Sequence, residues 1–336
     1  MFKYILKRIL MMIPTLVGIT LLTFVIVNLA PGGPIEQKIQ KLRFNQSESG
    51  KGPSVISEEV LENLKKQYGF DKPLHVRYLL WLKNVSVFNF GESFTYEEPV
   101  IDIIVSKLPV SIQFGLSSFI LSYFVCISLG LMKAMKHNSV FDHLTSVVIF
   151  VAYSIPGFML AILLIVFFAG GNFYSWFPIG QLYSDNYQDL DTWGKIIDRL
   201  HHFVLPLICY MIGSFTVLTV LMKNSLLDEI KKDYIRTARA KGLSENGVIL
   251  KHALKNALIP IATGIGGFFS IFFAGSLLLE NIFQLDGMGQ LFYQSILQRD
   301  YNVIMGLLFI QSLLMMLGNI VSDLAYVFLD PRINFD

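Results

Sequence analysis

Charged residues are scarce in this sequence, and their scarcity limits the kind of protein it encodes. Only 15% of the 336 residues are Asp, Glu, Lys or Arg, whereas 53% are hydrophobic. Soluble domains carry about 25% charged residues, which cover the surface that faces water. The composition therefore argues against an ordinary water-soluble domain and points to a membrane protein.

Cysteine is also scarce, and the histidines lack the spacing of a metal site. Cys126 and Cys209 both fall within long apolar runs, so they imply no disulfide framework and are interpreted as small packing residues. The six histidines are scattered, and the adjacent pair His201 and His202 does not have a zinc-ligand spacing. Structural or interfacial roles are therefore favoured for the histidines.

Motifs for nucleotide binding and catalysis are missing. The nearest match to a P-loop is Gly50-Lys51-Gly52, which lacks both the upstream glycine and the following hydroxyl residue. Glu97 and Glu98 are neighbours whose side chains point apart, so a solvated surface is favoured over an acid–base pair. We therefore expect no cofactor bound by this chain and no catalytic activity of its own.

What the sequence does contain is apolar runs of about 20 residues, the length that crosses a bilayer. The first run follows three basic residues, but it is longer than a signal peptide's apolar region and is followed by Pro31, so we interpret it as a retained span. Pro109, Pro156 and Pro206 lie at or within spans, where bends near a pathway and simple packing kinks are both open. Six spans are predicted, at 9–30, 110–132, 144–169, 203–222, 258–281 and 303–327.

Charge asymmetry predicts the orientation of these spans. Both termini and the loops at 133–143 and 223–257 together hold 14 Lys and Arg residues, whereas the loops at 170–202 and 282–302 hold 3. Cytoplasmic loops are enriched in Lys and Arg, so both termini and the two basic loops are predicted to be cytoplasmic.

The predicted domains follow from this topology: 1–30 is the cytoplasmic N-terminus with the first span, 31–108 is an extracytoplasmic cap, and 109–336 is a five-span core. The cap is predicted to be a small helical unit that packs on the membrane part. One helix of the cap is predicted after Pro73 and is expected to place Leu79, Leu82 and Val85 on one face.

Two acidic residues lie near the ends of predicted spans. Glu280 and Asp323 are functional candidates, although capping or pairing is favoured over contact with a substrate because charge costs little near an interface. The fifth span is rich in small residues, which allow close helix packing or line a path. Gly264, Gly267 and Ser270 are the candidates for that path.

The most informative segment is the basic stretch between the fourth and fifth spans. Residues 225–241 are predicted to form one amphipathic helix that ends at Gly242, and a second short helix is predicted at 244–257. Such a pair suits docking into a groove on a soluble partner, while a basic helix lying on anionic lipid is the alternative. Its apolar stripe consists of Leu226, Leu227, Ile230, Tyr234 and Ala238.

The segment DYIRTARAKGLSENGVILKHALKNALIP at 233–260 resembles the "EAA" loop of bacterial ABC importer permeases. Arg236-Thr237-Ala238 stands where Glu-Ala-Ala would stand, and Gly242 is kept. RTARAKGLS and HALKNALIP are the form found in the dipeptide and oligopeptide branch, which weighs against the sugar and amino-acid branches. LVGITLLTFVIVNLAPGGP, GSLLLENIFQLDGMGQL and DLAYVFLDPRINF extend the resemblance along the whole chain, and the APGGP, FFAGG and DPRINF blocks look most like the Yej subgroup.

The resemblance implies an all-α fold of six transmembrane helices, the type I ABC importer permease, in the bacterial inner membrane. It implies a second homologous permease, one or two ABC ATPase subunits and an extracytoplasmic solute-binding protein as partners, with lipid around the spans and no nucleic acid. ATP and Mg would bind to the ATPase and not to this chain. The ATPase-coupling residues implied are Arg236, Thr237, Ala238, Lys241, Gly242 and Leu243.

Three other interpretations remain open on the sequence. Peptides, a peptide-like antibiotic, or nickel and metallophore complexes all use permeases of this form, so the cargo is not fixed. A stand-alone secondary transporter would need no ATPase, but the sequence shows no inverted repeat and few charges in mid-membrane. A membrane receptor or enzyme is disfavoured because the cap is small and no catalytic constellation is present.

Overall fold

A computed structural model describes residues 2–33, 36, 39, 62, 66, 70–171, 173–262, 264 and 276–329. These ranges are mostly helical and contain no β-strand, only an isolated bridge between Glu92 and Pro99. The predicted all-α class is therefore confirmed. The helices are α1 (Phe2–Leu29), α2 (Leu74–Val85), α3 (Val100–Met135), α4 (Val140–Ser154), α5 (Gly157–Phe168), a 3-10 turn (Tyr187–Asp189), α6 (Thr192–Ile230), α7 (Asp233–Ala240), α8 (Glu245–Val248), a π-helical stretch (Ile249–Ala253), α9 (Leu254–Ala257), α10 (Ile259–Ala262), α11 (Leu277–Ile282), α12 (Met288–Leu297) and α13 (Tyr301–Leu329).

Four of these helices are long and apolar enough to cross a membrane: α1, α3, α6 and α13. The bent pair α4 and α5 raises the number to five if it counts as one span. Half of the predicted fifth span at 258–281 lies outside the described residues. The total of six therefore stays a prediction, while five of the predicted spans coincide with observed apolar helices.

The predicted third span, 144–169, is not one straight helix. α4 and α5 meet at an angle of 100°, because Ile155 and Pro156 both leave the helical region, with ψ of 120° and 137°. Proline disfavours the helical conformation of the residue before it and has no N–H to donate. Pro109 and Pro206, by contrast, lie inside the continuous helices α3 and α6.

The chain divides into two compact units. The core unit comprises Met1–Leu6, Leu108–Gln290 and Leu314–Asp336, and the cap unit comprises Lys7–Lys107 and Leu291–Leu313. The cap unit thus combines the predicted outer segment with parts of α1, α12 and α13. The three domain limits given by the sequence stay predictions.

The core unit contains an apolar cluster around Phe114, whose ring stacks on Phe203 at 4.4 Å and on Tyr210 at 5.8 Å. Cys209 belongs to this cluster, and Cys126 is also fully buried. Both thiols are free, so their predicted role as packing residues agrees with the structure.

In the cap unit, α2 packs through Tyr78 and Val85. The Tyr78 hydroxyl donates to the Val17 carbonyl at 3.0 Å and lies beside Phe24 with ring centroids 5.4 Å apart. The predicted face was partly wrong, because Leu79 is 61% exposed. Tyr78 and Val85 are seven residues apart and therefore share one side of the helix, from which Leu79 is rotated by about 100°.

Candidate functional site

The basic segment at 231–257, here called the basic loop, folds into a compact helical hairpin within the core unit. It carries seven Lys and Arg residues and only two acidic ones. α7 is followed by a turn at Gly242, whose φ of +80° is accessible to glycine at little cost. Ser244 then caps the next helix by accepting a hydrogen bond from the Gly247 N–H. The predicted stop and the second helix are thus observed, the second helix with a π-helical stretch at Ile249–Ala253.

The inner face of the basic loop is apolar and closely packed. It buries mainly small and β-branched side chains, which let the hairpin approach the ends of α3 and α6. The cluster consists of Ile235, Ala238, Val248, Ile249, Ala253, Ala257 and Ile261 from the loop region, packed on Ala134, Met222 and Leu226. The hairpin is therefore held to the membrane helices through a continuous apolar interface.

The predicted single helix at 225–241 is wrong in two respects. α6 ends at Ile230, and α7 begins only at Asp233 after Lys232 adopts an extended conformation. This break rotates the buried stripe, so Ile235 is fully buried while the predicted stripe residue Tyr234 is exposed. The break moves Tyr234 out of the buried stripe, whereas Ala238, the last predicted member, stays buried.

Tyr234 instead fixes the break through polar contacts. Its hydroxyl donates to Glu229 Oε2 at 2.5 Å and accepts from Asn256 Nδ2 at 3.0 Å. Lys232 Nζ lies 2.5 Å from Glu229 Oε1. Partial burial and the neighbouring Glu229 carboxylate raise the pKa of Tyr234, so its hydroxyl stays protonated and can serve as a donor. The angle between α6 and α7 is set by these contacts.

The outer face of the basic loop gathers most of the predicted coupling residues. Arg236, Thr237, Lys241, Gly242 and Leu243 are all exposed along α7 and the turn that follows it. Leu243 is 44% exposed, an apolar side chain at the tip of an otherwise polar surface.

The structure does not bring the sixth predicted residue to that face. Ala238 is buried in the apolar cluster, so any role it has in coupling is played through packing. Arg239, which the prediction omitted, spans the turn: its Nε lies 3.0 Å and its Nη2 2.5 Å from the two carboxylate oxygens of Glu245. A side chain six residues away could not be paired from helical periodicity alone.

A buried charge cluster fastens the helices next to the basic loop, and the sequence reading missed it. Asp142 on α4 accepts from Lys223 on α6 at 2.8 and 2.7 Å, and Lys133 on α3 lies 3.1 Å away. The Lys133 side chain is only 1% exposed, and its Nζ also donates to the Asp142 carbonyl at 2.8 Å. In the sequence, both lysines contribute only to the charge asymmetry that predicts orientation. The signal for the cluster is their position at the ends of predicted spans, together with the single aspartate Asp142 near one of those ends.

Glu280, at the end of the predicted fifth span, is completely buried and paired, as favoured from the sequence. Ser111 donates to its Oε1 at 2.9 Å and Tyr210 at 3.2 Å, while the Gln290 N–H donates to Oε2 at 2.9 Å. Asp323, the second acidic candidate, accepts from the Tyr4 hydroxyl at 3.1 Å. The hydrogen bonds of Glu280 and of Asp323 are therefore structural contacts within the core unit.

Of the predicted path residues, only Gly264 is described, and Gly267 and Ser270 lie outside the described residues. A Cβ added to Gly264 would lie 2.5 Å from the Tyr123 hydroxyl, so the backbone here approaches α3 closely. Their role in a path stays a prediction. Within the described part of the chain, no group of three His, Cys, Asp or Glu side chains is arranged to hold a metal ion.

Long apolar helices, a bent helix pair and a basic helical hairpin packed against the helix ends define a multi-pass membrane protein with one specialised polar loop. Residues 126–335 match the family of binding-protein-dependent transport system inner membrane components, and residues 1–115 match that system's N-terminal membrane component. The chain belongs to this family. It is therefore a permease of the inner membrane with the type I ABC permease fold, as the resemblance of the basic loop predicted.

Relatives that match the chain over its full length support the same family assignment. The peptidoglycan transport system permease protein YejB of Agrobacterium fabrum is 45% identical over 99% of this chain and 98% of its own length. The inner membrane ABC transporter permease protein YejB of Escherichia coli O157:H7 is 42% identical over 99% of both chains. The oligopeptide transport system permease protein AppB of Bacillus subtilis is 36% identical over the whole of both. These similarities confirm the predicted peptide-permease resemblance, including its Yej character.

Proposed function

We propose that this chain is the translocation subunit of an ATP-driven importer of oligopeptides or peptide-like compounds. Support for peptide cargo comes from relatives that match the chain from end to end and are named as oligopeptide, dipeptide and peptidoglycan permeases. The charge asymmetry supports an orientation with both termini and the basic loop in the cytoplasm. The cap then faces the outside, where a solute-binding protein delivers cargo.

In this proposal the basic loop is the element that docks on the ATPase. The observation that carries it is the division of the hairpin into two faces: one packs on α3 and α6, and the other exposes Arg236, Lys241 and Leu243. A hairpin fixed on one side and exposed on the other can transmit a displacement from a soluble partner to the helices. A loop lying flat on lipid would turn its apolar face to the bilayer instead.

The remaining partners and the cofactor follow from the same mechanism. A second homologous permease completes the pathway, and ATP with Mg binds to one or two partner ATPase subunits, so this chain is not itself an enzyme. ATP binding closes the ATPase pair and hydrolysis reopens it. Each nucleotide state must favour a different conformation of the permease, because binding with equal affinity for both conformations would shift nothing.

The test uses proteoliposomes that contain this chain with its neighbouring permease and ATPase, the binding protein and a peptide mixture. We expect peptide-stimulated ATP hydrolysis, and we expect Gly242→Asp to abolish the stimulation while the complex still inserts. Aspartate tolerates the positive φ only partly and adds a negative charge to a basic docking surface. Gly242→Asn is the matched control, because asparagine has the same shape and φ tolerance without the charge.

If Gly242→Asn retains at least half of the stimulation and Gly242→Asp retains none, the charge of the surface matters and the docking role stands. Normal peptide uptake by Gly242→Asp at normal protein levels would contradict the docking role. Uptake that needs no ATPase would instead favour a stand-alone transporter.

A further inference from the structure

The cap unit contains a half-open cavity of about 460 Å³ that none of the contacts described so far explains. Its volume falls in the range of about 300–1,000 Å³ that is typical of small-molecule sites. Residues from α1, α2, the segment at 89–94 and the start of α13 line it, all within the cap unit. The cavity opens to the surface, so a small molecule can enter it from the solvent.

The walls of the cavity are aromatic, and a guanidinium group lies against them. Phe24, Phe70, Trp81, Phe90, Phe94 and Tyr301 are the lining rings. The Arg77 guanidinium carbon lies 3.8 Å from the centroid of the Phe70 ring and 5.8 Å from that of Phe24. Burial lowers the pKa of Arg77, which reflects the cost of holding its charge away from water. The cavity therefore offers stacking surfaces beside a partly desolvated cation.

The charge balance in the cavity favours an anion. Arg77 and Lys72 are two cations on its lining, against the single carboxylate of Glu92. Among the described residues, Arg77 has no carboxylate within salt-bridge distance. Arg77 is half-buried, and its guanidinium fork is suited to a carboxylate with two parallel hydrogen bonds.

We propose that this cavity binds the carboxyl-terminal end of a short peptide, with Arg77 on the carboxylate and the aromatic rings on the last side chain. The inference rests on the peptide cargo proposed above and gives the permease its own contact with cargo on the outer side. The cavity selects for a free carboxylate and an apolar last residue.

Tryptophan fluorescence gives a direct readout, because Trp81, Trp176 and Trp193 are the only tryptophans in the chain. In the full-length chain in nanodiscs of neutral phosphatidylcholine, Trp176→Phe and Trp193→Phe leave Trp81 as the single reporter. The probe is Ala-Ala-Phe with a free carboxylate, and Ala-Ala-Phe amide is the control ligand. We expect a saturable change for the acid and a dissociation constant at least tenfold weaker for the amide.

Arg77→Gln in the same background should weaken binding of the acid at least tenfold, which corresponds to about 1.4 kcal/mol. Lys83→Gln is the matched control, because it removes a positive charge from the same helix outside the cavity lining. Equal binding of acid and amide, or no saturable change at all, would overturn the proposal.

Two further arms separate the possible failures. If phosphatidylglycerol in the nanodisc, without peptide, produces the change and Arg77→Gln removes it, the cavity is a lipid-headgroup site and the peptide proposal is wrong. If the reconstituted importer takes up peptides while the cavity shows no binding, the proposed function stands and only the cavity inference falls. If the importer binds the acid but does not transport it, the cavity inference stands and the assignment of peptides as cargo is wrong.

Discussion

The basic loop and the cap unit solve the same problem, attachment of a small helical element to membrane helices, with opposite kinds of side chain. The loop uses alanine and aliphatic residues such as Ile235 and Ala253, which leave little space at the interface. The cap uses large rings, among them Tyr78 and Trp81, and a cavity remains between them. Small residues let backbones approach closely, whereas rings in tilted contact leave gaps between their edges.

The difference teaches what each element is suited to do. A closely packed hairpin with buried ion pairs beside it resists deformation, so a push on its exposed face moves the attached helices as well. A cap held by rings around a cavity can instead accept a ligand without rearranging its core. In the importer proposed above, the loop is the element for transmission of force and the cap cavity is the element for contact with cargo.

The largest effect on stability is expected from a substitution in the buried charge cluster beside the basic loop. Asp142→Asn removes the carboxylate between Lys133 and Lys223 and leaves one buried and one partly buried ammonium group without that counter-charge. Breaking a buried pair in this way costs about 3–5 kcal/mol. Thermal unfolding in detergent should show a lowered midpoint, and Asp102→Asn, an exposed aspartate in the first turn of α3, should leave it unchanged. Equal midpoints for both variants would mean that the cluster adds nothing to rigidity.

A smaller effect should distinguish the two kinds of packing directly by adding volume to each. Ala253→Leu inserts a larger side chain into the closed loop cluster and should cost about 1–3 kcal/mol of unfolding free energy. Leu80→Phe adds volume beside the cap cavity and should change stability by less than about 0.5 kcal/mol. Both are measured by the same detergent unfolding. A Leu80→Phe loss as large as that of Ala253→Leu would refute the contrast.

The smallest effect concerns the exposed pair that spans the Gly242 turn. The hydrogen bonds from Arg239 lower the pKa of Glu245. A carboxyl whose folded-state pKa is depressed stabilises the folded form above its unfolded pKa, and this contribution is lost as the pH falls through the folded value. The pair is solvent-exposed, so its contribution is about 0.2–1 kcal/mol. Glu245→Gln should therefore be slightly less stable than the parent at pH 7 and equally stable well below pH 4; a difference that persists there would contradict the electrostatic origin.

Much of the fold could be predicted because bilayer physics leaves a strong trace in the sequence. Apolar runs located all four long helices, closely at both ends of α13, but α1, α3 and α6 begin 7, 10 and 11 residues before the predicted spans. Periodicity did not place either break: at Pro156 one run became two helices, and after Lys232 Tyr234 left the buried stripe. Pro156 marked a possible bend but not its 100° angle, and a hydropathy or moment pattern passes through Lys232 without a signal.

For the candidate site, local motifs were informative and long-range pairing was not. The positive φ at Gly242 follows from its position after a helical stripe, and its neighbours on the exposed face could be named. The contacts of Asp142 with Lys223, 81 positions apart, depend on how α4 and α6 pack and have no periodic trace. The same holds for Arg77 in the cap cavity, whose environment is built from α1, α2 and α13 together.

The length of α6 has a mechanical consequence. Its 39 residues make a helix about 58 Å long, nearly twice the roughly 30 Å hydrocarbon thickness of a bilayer. At one end Asp198 and His202 contact Ser184, and at the other Lys223 contacts Asp142 and Leu226 carries the basic loop. Such a rod turns small rotations into large displacements: a tilt of about 10° about one end carries the other through about 10 Å. Because α6 is one continuous helix, a small rotation at one of its ends becomes a large displacement at the other without a hinge between them.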